Sequence, residues 1–459
     1  MSTESEGPGE ASPTPEPKRP RALPVVGDPI PTLGASQAAK PSGPDSPGSG
    51  SPGGGKKSDD TRAWRILAVP LACLAAIALF LILTGEPPQP PPPPESPRTV
   101  IRVLLIKSAP EIKLELNGAW LLVPFPAESG DAIPVKDLGE VTLSAAGWSL
   151  EGEASTQLPD VSEIRIEPAV LVEGPDPKIG LEGRTYRGAL WIRRSESGQL
   201  RVVSGVNLED YLAGVIGHEM PLSWHDEAVK AQAIAARTYV LRERRPKRHY
   251  DVERDTRSQV YGGVMRTDAR AQAMVRATKG LVVTHEGRMV TTYFHSTCGG
   301  DTIPASWVFR QVKRDTPPLM GASDCTCQPS KYYRFETQVD FRKIKQVSVA
   351  LPLKSLEVTH WPRGNYVRQL ILVGAEGKEQ RWHGYSQARS YLRLKAPAFT
   401  ATLDEDGLGA TFKSRGWGHG VGMCQFGANG FAKQGYDAAQ IMRHFYPKTE
   451  LTQYTPDLR

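Results

Sequence analysis

A single carboxyl residue, Glu219, lies within the stretch GHEMPLSWHDEAVKAQAIAARTYVL, residues 217–241. It precedes a Met-Pro step and an alanine-rich segment that is typical of a helix. A lone carboxyl group in such a position can protonate a leaving group as a general acid and then accept a proton as a base. Glu219 could equally be a carboxylate favoured by the N-terminus of the following helix, because acidic residues are common there.

A zinc-protease motif in this stretch is excluded by the spacing of its histidines. The HExxH motif needs two His residues one helical turn apart with Glu beside the first. Here His218 and His225 are seven positions apart and Pro221 lies between them. Because proline interrupts a helix, the two rings cannot share one helical face.

Local signals predict the helix that follows Glu219. Ser223 with Asp226 three positions later resembles a capping box, so the first clear helix of the chain is expected to begin after Ser223, with the Met-Pro step outside it. Small residues on nearly every face predict that other elements enclose this helix. Arg237 within it needs an anionic or hydrogen-bonding partner, and Glu219 or a substrate is available for that role.

A glycine-rich segment, SRGWGHGVGMCQFGANG, occupies residues 414–430. Its glycines allow the backbone to approach a ligand or to adopt positive φ, but it lacks the Gly-Lys-Ser/Thr ending of a phosphate-binding P-loop. His419 and Gln425 are the polar groups that such a loop could present to a sugar, and the ring of Trp417 could stack on one. His419 could instead be a structural residue that bonds only to the protein.

The first quarter of the chain does not have the composition of a folded domain. Residues 1–63 are rich in Pro, Gly and Ser and predict a disordered cytoplasmic tail. Residues 64–85 contain an uncharged apolar run long enough to cross a bilayer. Lys and Arg precede this run, and the next one after it is Arg98, so the positive-inside rule predicts a cytoplasmic N-terminus. We therefore expect one transmembrane helix, with a buried core helix as the alternative, and then a stiff Pro-rich linker over residues 86–98.

Residues 99–459 predict an exported α+β domain, rich in β-strands, into which a few helices are inserted. Short apolar strands alternate with turns, and two hairpins are expected about the sequences HEG at residue 285 and AEGK at residue 375. Two short helices near the C-terminus should be ended by Gly435 and Pro447. The formal net charge of +6 comes from interspersed charges, so binding to nucleic acid is not indicated.

Four cysteines lie in this exported part: Cys298, Cys325, Cys327 and Cys424. Four thiolates, or three of them with His295, could form a tetrahedral zinc site. Two disulfides are the alternative for an exported protein. A bond between the closely spaced Cys325 and Cys327 would be strained, so each would pair with Cys298 or Cys424. Free thiols are the third possibility.

Four segments together resemble a known family. Residues 207–241, 258–263, 277–300 and 414–451 are similar, in this order, to the SpoIID/LytB family of sporulation and peptidoglycan-remodelling proteins. The resemblance covers about residues 100–455 and implies a β-rich fold of the SpoIID type. Enzymes of this family are lytic transglycosylases that cut glycan strands stripped of peptides, and the Glu of their E-M-P motif matches Glu219.

The resemblance also implies that the glycine-rich segment lies at the same cleft as Glu219. The candidate substrate-binding residues are therefore His419, Gln425, Arg237, Gln259, Tyr261 and Trp417. The implied reaction needs one carboxyl group, which protonates the glycosidic oxygen and then takes the proton of the muramic acid 6-hydroxyl as a 1,6-anhydro ring closes. No cofactor is required for this chemistry, so a zinc ion at the cysteines would be structural.

The position of Glu219 conflicts with this interpretation in one respect. A helix N-terminus lowers the pKa of a nearby carboxyl, whereas a general acid needs its pKa raised. Burial against Met220 and Trp224 would therefore have to outweigh the helix dipole.

The alternative function is a wall-binding protein that stimulates or scaffolds an amidase. Either way, we expect peptidoglycan glycan strands and, through one helix, a membrane as partners, with the domain on the cell-wall side. A zinc hydrolase is disfavoured because thiolate-rich sites are usually closed and structural.

Overall fold

The computed structural model describes residues 99–126, 130–146, 148–152, 156–169, 178–255, 259–264 and 269–458. The expected tail, transmembrane helix and linker over residues 1–98 lie outside these ranges. Within them, no helix is both long enough and apolar enough to cross a membrane.

Strands dominate the N-terminal half of the described domain. They are β1 (Val100–Ala109), β2 (Glu111–Leu116), β3 (Ala119–Phe125), β4 (Ile133–Lys136), β5 (Gly139–Ser144), β6 (Ser149–Glu151), β7 (Thr156–Gln157), β8 (Glu163–Pro168), β9 (Lys178–Leu181), β10 (Arg184–Arg187), β11 (Ala189–Arg194) and β12 (Leu200–Asn207). They form most of a seven-stranded sheet, in the order β13-β1-β12-β11-β8-β3-β4, and a six-stranded sheet, in the order β10-β9-β2-β5-β6-β7. Strand β13 (Val252–Glu253) completes the first sheet by pairing parallel to β1.

Alternating side chains explain why these segments form sheets with one buried face. In β2 the residues Ile112, Leu114 and Leu116 are buried, while the charged residues between them are exposed. Successive side chains of a strand point to opposite faces, so this pattern directs one face to the core. Each fully buried Leu or Ile contributes about 1.5–3 kcal/mol relative to an exposed one.

Five α-helices lie among the described residues after β12. They are α1 (Leu208–Glu219), α2 (Asp226–Glu243), α3 (Ala269–Ala277), α4 (Gln425–Lys433) and α5 (Ala438–Phe445). Helix α1 is capped by Asn207, whose side chain accepts a hydrogen bond from the backbone N–H of Glu209 at 3.0 Å. The expectation that the first clear helix begins after Ser223 is wrong, because the capping residue Asn207 already starts α1.

The second helix confirms one expectation and corrects another. Helix α2 is capped by His225, whose Nδ1 accepts from the backbone N–H of Glu227, so the predicted capping box of Ser223 and Asp226 is not formed. Its alanines are buried around the helix, as the small residues on every face predict. Helix α2 therefore lies at the centre of the fold, in contact with α1, α3, α4 and α5.

The remaining strands form small sheets in the C-terminal half. They are β14 (Leu281–His285), β15 (Arg288–Met289), β16 (Phe294–His295), β17 (Phe335–Asp340), β18 (Ser355–His360), β19 (Val367–Val373), β20 (Glu379–His383), β21 (Ala398–Leu403), β22 (Gly409–Arg415), β23 (Met423–Cys424) and β24 (Glu450–Gln453). The expected hairpins are confirmed as β14–β15 and β19–β20. Strands β17–β22 enclose a second, smaller hydrophobic cluster. The described structure is thus β-rich α+β, as expected.

Candidate active site

Glu219 is the last residue of α1, and Met220 ends the helix by donating its backbone N–H to the carbonyl of Ile216 at 3.0 Å. The residue keeps partial solvent access, but the protein around it removes most water from its carboxyl group. This desolvation raises the pKa of Glu219 to about 7. The group can therefore hold a proton near neutral pH, which a general acid requires.

The end of the helix on which Glu219 lies changes the electrostatic argument. The C-terminal end of a helix carries partial negative charge, which disfavours a carboxylate. The expected conflict with a helix N-terminus is wrong, because residues 220–225 separate Glu219 from the start of α2 at Asp226. The dipole of α1 and the desolvation of the carboxyl therefore favour the same neutral form.

Two donors hold the carboxyl group in place. The backbone N–H of Val260 donates to Oε1 of Glu219 at 3.1 Å, and the side-chain amide of Gln425 also bonds to the carboxyl. Both contacts lower the pKa of Glu219 and partly offset its desolvation. Gln425 is the one predicted substrate-binding residue whose side chain the structure brings directly to Glu219.

Gln232, a buried residue that the sequence analysis missed, orients the side-chain amide of Gln425. Gln425 donates from Nε2 to Oε1 of Gln232 at 3.3 Å, and Gln232 on α2 is fully buried. The Nε2 of Gln232 has no hydrogen-bond partner among the described residues. Burying an unmatched amide is costly. A Gln among the buried alanines of α2 is the sequence signal that could have indicated this position.

Gln259 and Tyr261 position the loop that carries Val260. The carbonyl oxygen of the Gln259 side chain accepts from the hydroxyl of Tyr211 at 3.0 Å, and its amide donates to the backbone of Ala236. Tyr261 is buried, with its ring centroid 5.1 Å from that of Tyr211. The expectation that these two side chains bind substrate is therefore replaced by a supporting role, because both point into the protein core.

Arg237 is fully buried and does not pair with Glu219. Its Nε and Nη2 donate to the two carboxylate oxygens of Glu209 on α1, at 3.0 and 2.7 Å. Further donation reaches the backbone carbonyls of Val275 and Leu281. The predicted substrate contact is wrong, because the guanidinium is already bound inside the protein and ties α1 to α2.

His419 uses both ring nitrogens within the protein. The backbone N–H of Val421 donates to Nδ1 at 3.0 Å, so Nδ1 is the acceptor and the proton lies on Nε2, which donates to the carbonyl of Phe294 at 2.9 Å. Burial and the neighbouring His295 lower the pKa of His419 well below its usual value and keep the ring neutral. The geometry thus supports a structural role for His419, in which the ring bonds only to the protein.

Trp417 is likewise enclosed, with 6% of its surface exposed. Its ring packs edge-on against Tyr332, with the centroids 4.1 Å apart, and Nζ of Lys395 lies 4.7 Å from its centroid. These contacts occupy the ring, so the structure does not present it to a sugar. The stacking role expected of Trp417 is therefore wrong.

Partly exposed aromatic side chains near Glu219 are better candidates for sugar contacts. Tyr239, Tyr293, Phe309 and Tyr385, here called the aromatic run, follow one another with centroid distances of 6.3, 4.5 and 6.2 Å. Burial raises the pKa of Tyr239, and nearby carboxylates, Glu219 among them, raise it further. Tyr239, the first member of the run, is thus close enough to the carboxyl group of Glu219 to interact with it electrostatically.

A second aromatic contact joins the segments on either side of the carboxyl. Trp224, between α1 and α2, packs edge-on against Phe426 with the centroids 4.7 Å apart, and Phe426 directly follows Gln425. Both rings are partly exposed. Partly exposed aromatic residues are common at binding interfaces, and the spacing in the chain gave no indication of this pair.

The four cysteines Cys298, Cys325, Cys327 and Cys424 converge in the fold. Their sulfur atoms all lie within 4.8 Å of one another, and all four residues are buried and free of disulfides. The Sγ atoms of Cys298 and Cys327 are 3.7 Å apart. Zinc–sulfur bonds of about 2.3 Å in a tetrahedron require sulfurs about 3.8 Å apart, so this geometry fits a zinc ion.

Backbone N–H groups point at these sulfurs. Cys424 accepts from Cys298 and from Gly427, each at 3.3 Å, and Cys298 accepts from Gly300 at 3.4 Å. Such donors favour thiolates, the form that binds metal. Gly427 is required here, because a β-carbon would overlap Sγ of Cys325. Four thiolates would therefore hold a zinc ion.

His295 is not part of this cluster. Its Nδ1 lies 3.1 Å from the carbonyl oxygen of Val421, and burial lowers its pKa to about 4. The alternative ligand set with three thiolates and His295 is therefore not the one that the structure assembles.

The cysteine cluster adjoins the catalytic candidate through α4. Cys424 caps α4, and the next residue is Gln425, which bonds to the Glu219 carboxyl. Strand β23 that ends at Cys424 pairs parallel to β16. The cluster consequently fixes the start of α4 and, with it, the amide beside Glu219.

The fold and site define a β-rich domain with one protonatable carboxyl and a separate four-cysteine cluster. Comparison with known proteins adds a family likeness to this description. The model of the family described as Stage II sporulation protein matches residues 196–285, which include α1, α2 and Glu219. These matched residues do not include the cysteines.

Three relatives extend the comparison. An uncharacterized protein of Brachyspira hyodysenteriae is 27% identical over 302 residues, 64% of this chain and 79% of the relative. The Stage II sporulation protein D of Bacillus amyloliquefaciens is 28% identical over 271 residues, 55% of this chain and 76% of its own. The amidase enhancer of Bacillus subtilis is 28% identical over 290 residues, 53% of this chain and 40% of its own. The resemblance to the SpoIID/LytB family is thus confirmed.

Proposed function

We propose that this protein is a membrane-anchored lytic transglycosylase that cleaves MurNAc–GlcNAc bonds of peptide-free glycan strands, with Glu219 as its general acid and base. The observation that carries the proposal is a partly accessible carboxyl whose pKa is raised to about 7 by desolvation. Relatives described as sporulation protein D and amidase enhancer support a role in cell-wall remodelling.

The first step uses the neutral form of Glu219. Its proton passes to the glycosidic oxygen as the bond from that oxygen to the anomeric carbon breaks, which leaves an oxocarbenium-like sugar and a carboxylate. The carboxylate gains the hydrogen bonds of Val260 and Gln425 that favour its charged form. These two donors therefore limit the cost of ionising the group in a desolvated position.

The second step returns the proton to Glu219. The carboxylate accepts the proton of the muramic acid 6-hydroxyl as that oxygen bonds to the anomeric carbon, which closes the 1,6-anhydro ring. The attacking group belongs to the substrate, so a second catalytic carboxylate and an attacking water are unnecessary. One residue that alternates between acid and carboxylate is sufficient.

The aromatic side chains supply the binding surface in this proposal. The aromatic run extends from Tyr239 beside Glu219 to Tyr385, and the Trp224–Phe426 pair lies next to Gln425. Apolar faces of sugar rings stack on such side chains while their hydroxyls remain hydrated. A structural zinc at the four cysteines would fix α4 and leave the acid–base chemistry to Glu219.

Denuded glycan strands test the proposal directly. We expect the full chain to release fragments with 1,6-anhydro ends, detected by mass spectrometry, and Glu219→Gln to reduce their release by at least about a hundredfold. The matched control is Glu286→Gln, which changes the same group at an exposed hairpin turn and should retain full activity. Release of anhydro ends by Glu219→Gln at the wild-type rate would exclude the mechanism.

A wall-binding stimulator of an amidase is the second candidate function. The Bacillus subtilis relative described as an amidase enhancer supports it. In that case the chain would bind glycan, raise the rate of an added amidase and produce no anhydro ends. The Glu219→Gln variant would then stimulate the amidase as well as the wild type does.

A further inference from the structure

Basic side chains of neighbouring strands lie together on the outer face of the seven-stranded sheet. Arg193 on β11 and Arg201 on β12 are directly opposite one another in the register of the two strands. Directly opposed like charges destabilise a sheet. Lys107 on β1 is exposed on the same side, beside a hollow of about 310 Å³ that it lines together with both arginines.

The lining of this hollow suits an anion. Beside the three cations it presents the hydroxyls of Ser108, Ser195 and Ser197, and no Asp or Glu is among the described residues that line it. Glu163 neutralises Arg193 from the next strand, at 2.7 Å. Arg201 is different, because its Nε is buried and has no hydrogen-bond partner among the described residues.

A basic segment borders the same face. Residues 242–249, RERRPKRH, contain five Arg or Lys and one Glu, and all of the basic side chains are exposed. Arg102 on β1 holds this segment in place, because its guanidinium donates to the backbone carbonyls of Arg245 and Arg248 and binds Asp251 at 2.8 Å. The segment is therefore fixed at the edge of the sheet.

The first described residues of the chain lie beside this face. A second hollow of about 420 Å³ is lined by Thr99, Arg102, Trp191 and Arg244, and exposed Val100 is beside them. Only thirteen residues, 86–98, separate Thr99 from the apolar segment expected to span the membrane. An extended Pro-rich linker of that length reaches about 40 Å. A half-buried Trp beside arginines is typical of membrane–water interfaces.

We propose that this basic face, formed by Lys107, Arg193, Arg201 and residues 242–249, docks on the phosphate headgroups of anionic lipids in the membrane that anchors the chain. Each Lys or Arg near such a surface contributes about 1 kcal/mol of attraction, which falls off within a Debye length. Docking would fix the orientation of the domain above the bilayer. The proposal rests on the membrane anchor of the proposed function and is independent of the chemistry of Glu219.

Trypsin tests the docking on the full chain in lipid nanodiscs. We expect cleavage after Arg244 and Lys247 to be at least about tenfold slower in nanodiscs that contain phosphatidylglycerol than in neutral phosphatidylcholine nanodiscs. Raising the salt concentration should remove the protection, because it screens the attraction. Cleavage after exposed Lys345, outside the basic face, should be equal in both.

Variants that leave these trypsin sites intact make the test specific. Lys107→Gln combined with Arg201→Gln should lose most of the protection, whereas the matched pair Lys354→Gln and Lys378→Gln, both exposed on the smaller C-terminal sheets, should keep it. Circular dichroism checks that each variant is folded. Arg201→Lys in place of Arg201→Gln should restore the protection from trypsin, because it keeps the positive charge.

Three results would overturn the proposal. The first is equal cleavage at Arg244 in both kinds of nanodisc. The second is protection in neutral nanodiscs by a soluble glycerol phosphate polymer at the same phosphate concentration, which would assign the face to a soluble anion. The third is failure of the full chain to insert into nanodiscs, which would also remove the anchor. Docking by an inactive Glu219→Gln chain would separate this inference from the enzymatic one.

Discussion

Gln425 donates a hydrogen bond to Gln232 at 3.3 Å, although the two residues are 193 positions apart in the chain. The amide of Gln425 also bonds to the carboxyl of Glu219, so the three side chains form one connected set. Gln232 acts through Gln425, which makes it a positioning residue.

Gln232→Met should raise the pKa of Glu219 by about 0.5–1 unit. Methionine has a similar volume, but its thioether sulfur accepts only weakly, so the amide of Gln425 is held less firmly against the carboxylate that it favours. One hydrogen bond contributes about 0.5–1.5 kcal/mol, which corresponds to this shift. Carboxyl infrared or carbon-13 NMR titration of Glu219 measures this shift without any assay of activity. The control is Gln346→Met at an exposed position, which should leave the titration unchanged.

Glu219 should make the folded state less stable as the pH rises. Its pKa is raised from 4.5 to about 7 in the folded protein, so the folded state binds the proton more tightly than the unfolded state does. The stability of the wild type relative to Glu219→Gln should therefore fall between pH 4.5 and 7, by about 2 kcal/mol after allowance for solvent screening of this partly exposed residue. Urea unfolding at pH 4 and pH 8 measures the difference. An unchanged difference would contradict the raised pKa.

The proposed glycan-cleaving activity should follow the same ionisation of Glu219. Because the proton donor is the neutral acid, the rate of anhydro-end formation should decline as the pH rises through about 7. Gln232→Met should move this decline to higher pH. A rate that is flat from pH 6 to pH 9 would mean that another group donates the proton.

The cysteine cluster should contain one tightly bound zinc ion per chain. Elemental analysis of the purified protein measures the ratio, and a strong chelator should lower the melting temperature markedly, since structural zinc contributes directly to folding. Cys327→Ser should reduce the zinc content, whereas Cys73→Ser, which lies outside the described residues, should not. A full set of disulfides in a thiol count under denaturing conditions would contradict the prediction.

Arg237 should matter for stability, with no separate effect on substrate affinity. Arg237→Leu leaves Glu209 without its partner and removes one donor from each of the carbonyls of Val275 and Leu281, so we expect a loss of about 3–5 kcal/mol. Arg242→Leu, exposed in the last turn of the same helix, should change stability by less than about 0.5 kcal/mol. Denaturant unfolding measures both. A folded Arg237→Lys variant should keep the wild-type KM for glycan.

Part of the fold was predictable because its signals are local. Alternating apolar residues predicted a β-rich domain, the HEG and AEGK turns predicted two hairpins, and the alanine-rich segment predicted a buried helix. Helix α1 was missed, because Asn207 as a capping residue is no different in sequence from many Asn residues in loops. The true cap of α2, His225, was missed because histidine is an uncommon capping residue.

The sequence by itself determined which chemical groups are present: one carboxyl beside a Met-Pro step, four cysteines after residue 98 and a glycine-rich segment that contains Gln425. Residue types and chain spacing suffice for such an inventory. Only the tertiary structure decided which groups meet, because Gln232 and Gln425, or Cys298 and Cys327, are brought together by packing between distant segments. The tertiary structure also decided that Glu219 ends one helix and does not begin the next. The helix dipole therefore raises the pKa of its carboxyl group and does not lower it.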